Sequence, residues 1–222
     1  MNTVVIPYRN REEHLEYFLS NSADTIIKNT GSEIIIVEQS GNMLFNRGAL
    51  INVGFIESKK DYIITHDVDL NPTEKAIPLY NIDNPIVGIY TSSANTLGGI
   101  VKIRKDCYET MDGFPNNFWG WGCEDKALQN RAEFHNINII KHIKKDTNEA
   151  TEYFTIFNDV DDRVRDTSFD NRTQFEYNVF KNLPIDRKLE HIRKSGLHNI
   201  EYEVVDRCML RENVFKITVN LW

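Results

Sequence analysis

The sequence has few cysteines, no long apolar stretch and no excess of basic residues. Its three cysteines, Cys107, Cys123 and Cys208, are an odd number among 222 residues and lack metal-ligand spacing. We therefore expect no disulfide framework, which is usual for proteins of a reducing compartment. The net charge of −7 provides no overall basic surface for nucleic acid or an anionic membrane. No apolar run approaches the length that a bilayer span requires.

The N-terminal segment MNTVVIPYRN contains a short apolar run without a basic leader or a cleavage site. We interpret it as a first strand rather than a signal peptide, and we predict a cytoplasmic protein. The length suits one sizeable α/β domain over residues 1–222, with two small domains as the alternative.

Strand and helix signals alternate in the first third of the chain. In order they are VVIP (strand), REEHLEYFLSNSADTIIKN (helix), EIIIVEQ (strand), FNRGALINVGFIES (helix) and DYIITHDVDL (strand). This order predicts an α/β fold with a mainly parallel, doubly wound sheet. Parallel strands place ligand sites at their carboxyl ends, and the acids of HDVDL follow such an end.

After Pro72 the elements are shorter. IVGIY and GGIVKI read as strands, KDCYETM and EDKALQNRAEF as short helices, and two β runs close the chain. We divide the domain into a nucleotide-binding half (1–72), an acceptor and metal half (73–143), a mobile or variable segment (144–190) and C-terminal strands (191–222).

The HDVDL motif supplies two hard oxygen ligands. Asp67 and Asp69 are two residues apart, so in an extended strand they share a face and Val68 points the other way. Carboxylates of this kind suit Mg²⁺ or Mn²⁺, and such an ion can bridge to a diphosphate. The alternative is a pair of ordinary surface acids.

Arginines follow the first strand and open the second helix. In PYRNREEHL, Arg9 and Arg11 follow a strand end and are suited to bind phosphate through paired N–H donors. Surface arginines at a helix start fit the pattern as well. In FNRGALINVGF, Arg47 and Phe45 suit a base or phosphate contact, while the apolar residues indicate a buried amphipathic helix.

The segment FWGWGCEDKAL places large aromatic residues on glycine-rich backbone. Trp119 and Trp121 offer flat faces for sugar rings, and Gly120 and Gly122 permit a loop that closes over substrate. Either following acid, Glu124 or Asp125, is a candidate general base. A tryptophan-anchored turn before a capped helix is the alternative interpretation.

Taken together, these motifs resemble the β-1,4-galactosyltransferase family, whose members are metal-dependent inverting transferases with the GT-A nucleotide-sugar fold. The resemblance runs through PYRNREEHL, FNRGALINVGF, HDVDL, LGGI at Leu97–Ile100, GFPNNFWGWGCED, HIKKDTNEA at His142–Ala150 and SGLHNIEYEVVDR. It covers nearly the whole chain and is weak only over about residues 152–189.

The resemblance implies roles for individual residues. Asp125 is the implied catalytic base, and Asp69 and His142 are the implied ligands of Mn²⁺. Acceptor binding is implied for Trp121, Gly122, Glu124 and Asp125. Nucleotide-sugar binding is implied for Pro7, Tyr8, Arg9, Arg11, Phe45, Arg47, Asp67, Val68, Asp69, Gly99 and Trp121.

Several positions depart from the family pattern. Lys126 replaces an acid, Cys123 replaces a glycine or arginine, and Ile139 lies where a further metal ligand is usual. Thr96 stands where galactose-using members carry a tyrosine, which implies room for the acetamido group of N-acetylgalactosamine. The family's disulfide cysteines, membrane anchor and stem are missing, which indicates a compact soluble relative.

The expected function is metal-dependent transfer of galactose or N-acetylgalactosamine from a UDP-sugar to an acceptor sugar hydroxyl, with a β linkage. The expected partners are the UDP-sugar donor and a glycan or glycosylated acceptor, without nucleic acid. One alternative is N-acetylglucosaminyl transfer or polysaccharide extension on the same fold. Another is a catalytically silent glycan- or nucleotide-binding homologue, although a binding module needs no base such as Asp125.

Overall fold

A computed structural model describes residues 1–157 and 164–222 of the chain. Within these residues the strands are β1 (Asn2–Tyr8), β2 (Glu33–Gln39), β3 (Tyr62–Thr65), β4 (Leu70–Pro72), β5 (Ile86–Thr91), β6 (Ile100–Arg104), β7 (Ile139–Lys144), β8 (Phe154–Ile156), β9 (Tyr202–Arg211) and β10 (Val214–Leu221). The α-helices are α1 (Glu12–Phe18), α2 (Asp24–Thr30), α3 (Arg47–Glu57), α4 (Lys105–Thr110), α5 (Glu124–Phe134), α6 (Ala150–Tyr153), α7 (Phe169–Gln174) and α8 (Ile185–Ile192). Shorter 3₁₀ or π-helical turns span Leu19–Ala23, Ile77–Asn81, Phe175–Val179, Phe180–Asn182 and Leu197–Asn199.

Eight strands form one sheet in the order β7-β5-β6-β3-β1-β2-β10-β9. The central strands β3, β1, β2 and β10 are parallel, as predicted, and β5 is parallel to β7. Strand β6 runs antiparallel to both of its neighbours, and β9 is antiparallel to β10. The small strands β4 and β8 form a separate antiparallel pair.

Helices cover both faces of the sheet. On one face Phe18 and Ile26, from the helical segment that starts at α1, pack against Ile6 of β1. On the other face α3 packs against β1 and β2, and α4 and α5 cover β3 and β6. Helix α3 approaches very closely, because a Cβ on Gly54 would lie 2.3 Å from a methyl carbon of Val5. The two buried faces explain why the central strands are almost entirely apolar.

The segment predicted to be mobile or variable, 144–190, contains regular structure. Helices α6 and α7, strand β8 and most of α8 lie in it, and β8 pairs with β4. Residues 158–163 of this segment lie outside the described residues, and its mobility stays a prediction. All three cysteines are free thiols. None of the helices among the described residues has the length and apolar character to cross a membrane.

Candidate active site at the carboxyl edge of the sheet

A cavity of about 420 Å³ lies at the carboxyl ends of β1 and β3. Most of the predicted site residues line it: Pro7, Arg9, Arg11, Phe45, Arg47, Asp67, Val68, Asp69, Gly99, Trp121, Glu124 and Asp125. Residues from five separate parts of the chain thus meet at the edge where a parallel sheet binds ligands. The sequence prediction located this edge from HDVDL alone.

The two acids of HDVDL lie in a turn and not in an extended strand. Strand β3 ends at Thr65, and the backbone N–H of Leu70 donates to the carbonyl of Asp67 at 3.2 Å. The expectation that the acids share a strand face is therefore wrong, although both carboxylates line the cavity.

The buried His66 holds this turn in place. Its Nδ1 lies 2.9 Å from the carbonyl oxygen of Asp67, and its Nε2 lies 2.9 Å from the Tyr80 hydroxyl. Complete burial lowers the pKa of His66 to about 4, so the ring is neutral near pH 7. The sequence analysis assigned no role to His66.

Arg47 joins the two halves of the cavity. It is the first residue of α3, and the helix starts there because the Asn46 side chain accepts from the Ala49 N–H at 3.0 Å. Its Nε and Nη2 donate to one oxygen of Asp67, at 2.9 and 2.8 Å, and its Nη1 donates to Asp125 at 2.9 Å.

The charges around Arg47 make this bridge strong. Burial alone lowers the pKa of the Arg47 guanidinium, but the carboxylates of Asp67, Asp125 and Glu124 outweigh it and the pKa is raised. A charge-assisted bond is about twice as strong as a neutral one. Arg47 therefore fixes the position of Asp125 relative to Asp67.

Asp69 has the environment of a cation ligand. Burial and the nearby Asp67 charge together raise the pKa of its carboxyl group, and Arg11 Nη1 is 3.8 Å from Asp69 Oδ2. A divalent cation at Asp69 would relieve the repulsion between the two acids. Diphosphate oxygens from a bound nucleotide would complete its coordination.

Asp125 lies in the first turn of α5, as predicted, and a glycine makes room for it. A Cβ on Gly98 would lie 2.0 Å from Oδ2 of Asp125, so no other residue fits there without displacing the carboxylate. Gly98 is a site residue that the sequence analysis missed. The signal was present, because Gly98 is half of the glycine pair in LGGI.

The two tryptophans have different surroundings. Trp119 is partly buried against the hydrophobic cluster between α3 and β10 and does not line the cavity, so its stacking on a sugar stays a prediction. Trp121 lines the cavity, and its ring stacks on Phe169 with centroids 5.5 Å apart. Gly120 has a φ of +74°, which interrupts the extended backbone between Trp119 and Trp121. The two indole rings therefore point to different sides.

Four predicted residues do not line the cavity: Tyr8, Thr96, Gly122 and His142. Tyr8 is buried in the core cluster beneath α1, and its nucleotide contact stays a prediction. Gly122 lies under the Phe169 ring. His142 is exposed on β7, and no group of three or more His, Cys, Asp or Glu side chains among the described residues forms a metal cage.

Thr96 lies behind the cavity wall. Its hydroxyl is 2.9 Å from the Ser92 hydroxyl, and Ser92 itself lines the cavity. The ammonium of Lys141 holds this loop by donating to the carbonyls of Ala94 and Thr96, at 2.7 Å each. Other lining residues that the sequence analysis did not name include Asn10, Tyr90 and Lys145.

Comparison with known families identifies the family of the chain that forms this cavity. Residues 1–82 match the N-terminal region of glycosyl transferase group 7, and residues 82–157 match the N-terminal domain of galactosyltransferase. The chain belongs to the β-1,4-galactosyltransferase family. Both matches cover segments that line the cavity, so the family motifs and the geometric site coincide.

The curated relatives of this β-1,4-galactosyltransferase family member include animal β-1,4-galactosyltransferases. The chain is 36% identical to rat β-1,4-galactosyltransferase 4 over 165 residues, which is 68% of the chain and 47% of the relative. It is 36% identical to human β-1,4-galactosyltransferase 1 over 149 residues, which is 61% of the chain and 37% of the relative. The chain thus spans less than half the length of these curated relatives.

A solved structure supports the fold over the whole chain. The catalytic domain of Drosophila β-1,4-galactosyltransferase 7, in complex with xylobiose, superposes with a TM-score of 0.80 at 25% identity. The superposition covers 100% of this chain and 94% of that one. The fold is the GT-A type that the sequence predicted.

Proposed function

We propose that the chain transfers galactose or N-acetylgalactosamine from a UDP-sugar to a hydroxyl group of an acceptor sugar, with Mn²⁺ and with inversion. One observation carries the proposal: Arg47 holds Asp125 at 2.9 Å in the same cavity as Asp67 and Asp69. The residue proposed as general base and the residue proposed as cation ligand thus line the same cavity. A point mutant of the Drosophila relative has been crystallised with manganese, UDP-galactose and xylobiose.

The proposed step is a single displacement. Asp125 accepts the proton of the acceptor hydroxyl as its oxygen bonds to the anomeric carbon, and the bond from that carbon to the diphosphate oxygen breaks. UDP leaves with the electron pair, and an α-linked donor gives a β linkage. When bound, Mn²⁺ supplies positive charge beside the leaving diphosphate. Arg9 and Arg11, which line the same cavity, add fixed positive charge for that group.

A donor screen tests the proposal directly. UDP release is measured across UDP-sugars with a mixture of acceptor sugars, before and after removal of divalent cations by a chelator. We expect release with UDP-galactose or UDP-N-acetylgalactosamine, loss on chelation, and better recovery with Mn²⁺ than with Ca²⁺. Transfer that continues unchanged in chelator would exclude the metal at Asp69. UDP-sugar binding without turnover would favour the silent homologue.

A metal-binding measurement examines the role proposed for His142. Its exposed position on β7 means that it reaches the cavity only if the chain around β7 rearranges when nucleotide binds. We expect His142→Ala to weaken Mn²⁺ binding in the presence of UDP, measured by electron paramagnetic resonance. Unchanged Mn²⁺ affinity would leave Asp69 as the protein ligand and remove His142 from the proposal.

We propose that Thr96 contributes to donor choice. Its packing on Ser92 makes it a support of the cavity wall, and a tyrosine ring there would fill space that a small residue leaves open. We expect Thr96→Tyr to shift the rate ratio toward UDP-galactose and away from UDP-N-acetylgalactosamine. A pocket-fit effect of about 1–3 kcal/mol corresponds to a roughly 5- to 150-fold change in that ratio. A ratio that does not move would assign donor choice to Ser92 or Tyr90.

A further inference from the structure

Two cations lie on aromatic rings at the outer side of the cavity. Arg165 is exposed, and its guanidinium carbon lies 4.2 Å from the centroid of the Trp121 ring and 4.5 Å from that of Phe169. Lys126 directly follows Asp125, and its ammonium lies 5.5 Å from the centroid of the Tyr177 ring. Neither cation forms an ion pair with a carboxylate among residues 1–157 and 164–222.

Lys126 occupies a position that local helix preference does not explain. It lies in the first turn of α5, where the partial positive charge of the helix end favours acids, as Glu124 and Asp125 illustrate. A lysine at this point adds a like charge to that end. Departures from local preference concentrate at functional sites, because the compensating interaction is made with a ligand.

Tyr177 contacts Lys126 and lies close enough to Asp125 to feel its charge. Burial raises the pKa of the Tyr177 hydroxyl, and the nearby charges of Cys123 and Asp125 raise it further. The residue Tyr177 is 39% exposed and is therefore accessible to a ligand. The rings of Trp121, which lines the cavity, and of Tyr177 suit a sugar ring, and the cations on them suit a negative substituent.

We propose that the acceptor is a saccharide that carries an anionic substituent, either a carboxylate or a phosphate, recognised by Lys126 and Arg165. This proposal rests on the proposed transferase function and names the class of its acceptor. The lysine ammonium is a compact positive charge that pairs with carboxylate or phosphate oxygens. The planar arginine guanidinium adds several N–H donors in a fixed arrangement. The nearby acids Glu124 and Asp125 do not cancel this attraction, because Arg47 faces both of them within the cavity.

Matched acceptor pairs test the proposal. The wild-type protein is assayed with Mn²⁺ and its best UDP-sugar on nitrophenyl β-glucuronide against nitrophenyl β-glucoside, and on glucose 6-phosphate against glucose. We expect a KM about tenfold lower for the anionic member of a pair, as one charge-assisted bond at a partly exposed site gives. The preference should shrink as salt rises, because the cations are near solvent. The acceptor pair with the larger ratio of KM values shows whether the preferred substituent is a carboxylate or a phosphate.

Variants assign the preference to Lys126. We expect Lys126→Gln to reduce the preference to the part that Arg165 contributes, and Lys126→Glu to reverse it. Lys28→Glu makes the same charge change on an exposed position of α2 and should leave the ratio of the two KM values unaltered. Equal KM values within each pair, or a preference that Lys126→Gln leaves unchanged, would overturn the proposal.

The two proposals fail in different ways. Transfer to neutral and anionic acceptors with equal KM contradicts only the acceptor class. Absence of transfer with every donor and acceptor contradicts the transferase function, and ligand-observed NMR of the same pairs with UDP and Mn²⁺ then decides the acceptor class. Selective binding of the anionic member supports the proposed acceptor class, and equal binding overturns it.

Discussion

Asp125→Asn is expected to lower the transfer rate by about a hundredfold or more, because an amide cannot accept the acceptor proton. The fold should tolerate the change, since the amide oxygen can still accept from Arg47 Nη1, which now lies 2.9 Å from the carboxylate. The measurement is steady-state transfer together with calorimetric titration of UDP in Mn²⁺. We expect UDP affinity to stay within a few-fold of wild type, because Asp67 and Asp69 are unchanged.

Two controls separate this effect from a general loss of charge. Asp186→Asn makes the same change at an exposed position of α8 and should leave transfer near the wild-type rate. Glu124→Gln tests the neighbouring acid, which is 7% exposed and whose Oε1 lies 4.0 Å from Arg47 Nη1. Near-normal turnover of Asp125→Asn, with a large loss in Glu124→Gln, would move the base to Glu124.

Arg131→Met is expected to lower the free energy of unfolding by about 4 kcal/mol or more, because the buried carbonyls around it would each lose a donor at a cost of about 1–3 kcal/mol. Arg131 is 3% exposed, and its hydrogen bonds within residues 1–157 and 164–222 go to backbone oxygens. Nη1 reaches the carbonyls of Met111, Asp112 and Gly113, and Nη2 reaches those of Ile192 and Ser195, over 2.5 to 3.4 Å. These bonds tie the end of α4 and the end of α8 to α5.

Denaturant unfolding followed by circular dichroism measures the effect. Arg193→Met makes the same substitution at an exposed position and should change stability by no more than about 0.5 kcal/mol. Arg131→Lys keeps the charge with fewer donors and should fall between the two. If Arg131→Met unfolds at the same denaturant concentration as Arg193→Met, the bonds of Arg131 contribute little to stability. The polar centre of α5 would then be held by other contacts.

Local sequence patterns were sufficient for the elements that build the sheet. The runs EIIIVEQ and DYIIT are buried on both faces and became β2 and β3, as their continuous apolar character predicted. The acids of EDKAL lie in the first turn of α5, where the helix end favours them. HDVDL was placed at the correct edge because the carboxyl end of a parallel strand is defined by chain direction alone.

Residues whose role depends on a distant partner were not predictable from the same patterns. Tyr8 and Arg9 are neighbours in the sequence, yet Tyr8 enters the core and Arg9 lines the cavity. Trp119 and Trp121 diverge in a similar way, because the positive φ of Gly120 turns the backbone between them. Family resemblance placed Tyr8 and His142 in the site by position, but it carried no information on which way their side chains point.

The sequence by itself determined the fold class, the strand and helix order and the edge of the sheet that carries the site. These features depend on hydrophobic periodicity and chain direction, which neighbouring residues encode. Only the tertiary structure decided that Arg47 bridges Asp67 and Asp125, which are 20 and 78 residues away from it. It also decided that Gly98 makes room for Asp125, and that Lys126 and Arg165 lie on aromatic rings beside the cavity. Such contacts form when separate elements pack on one core, so no local segment specifies them.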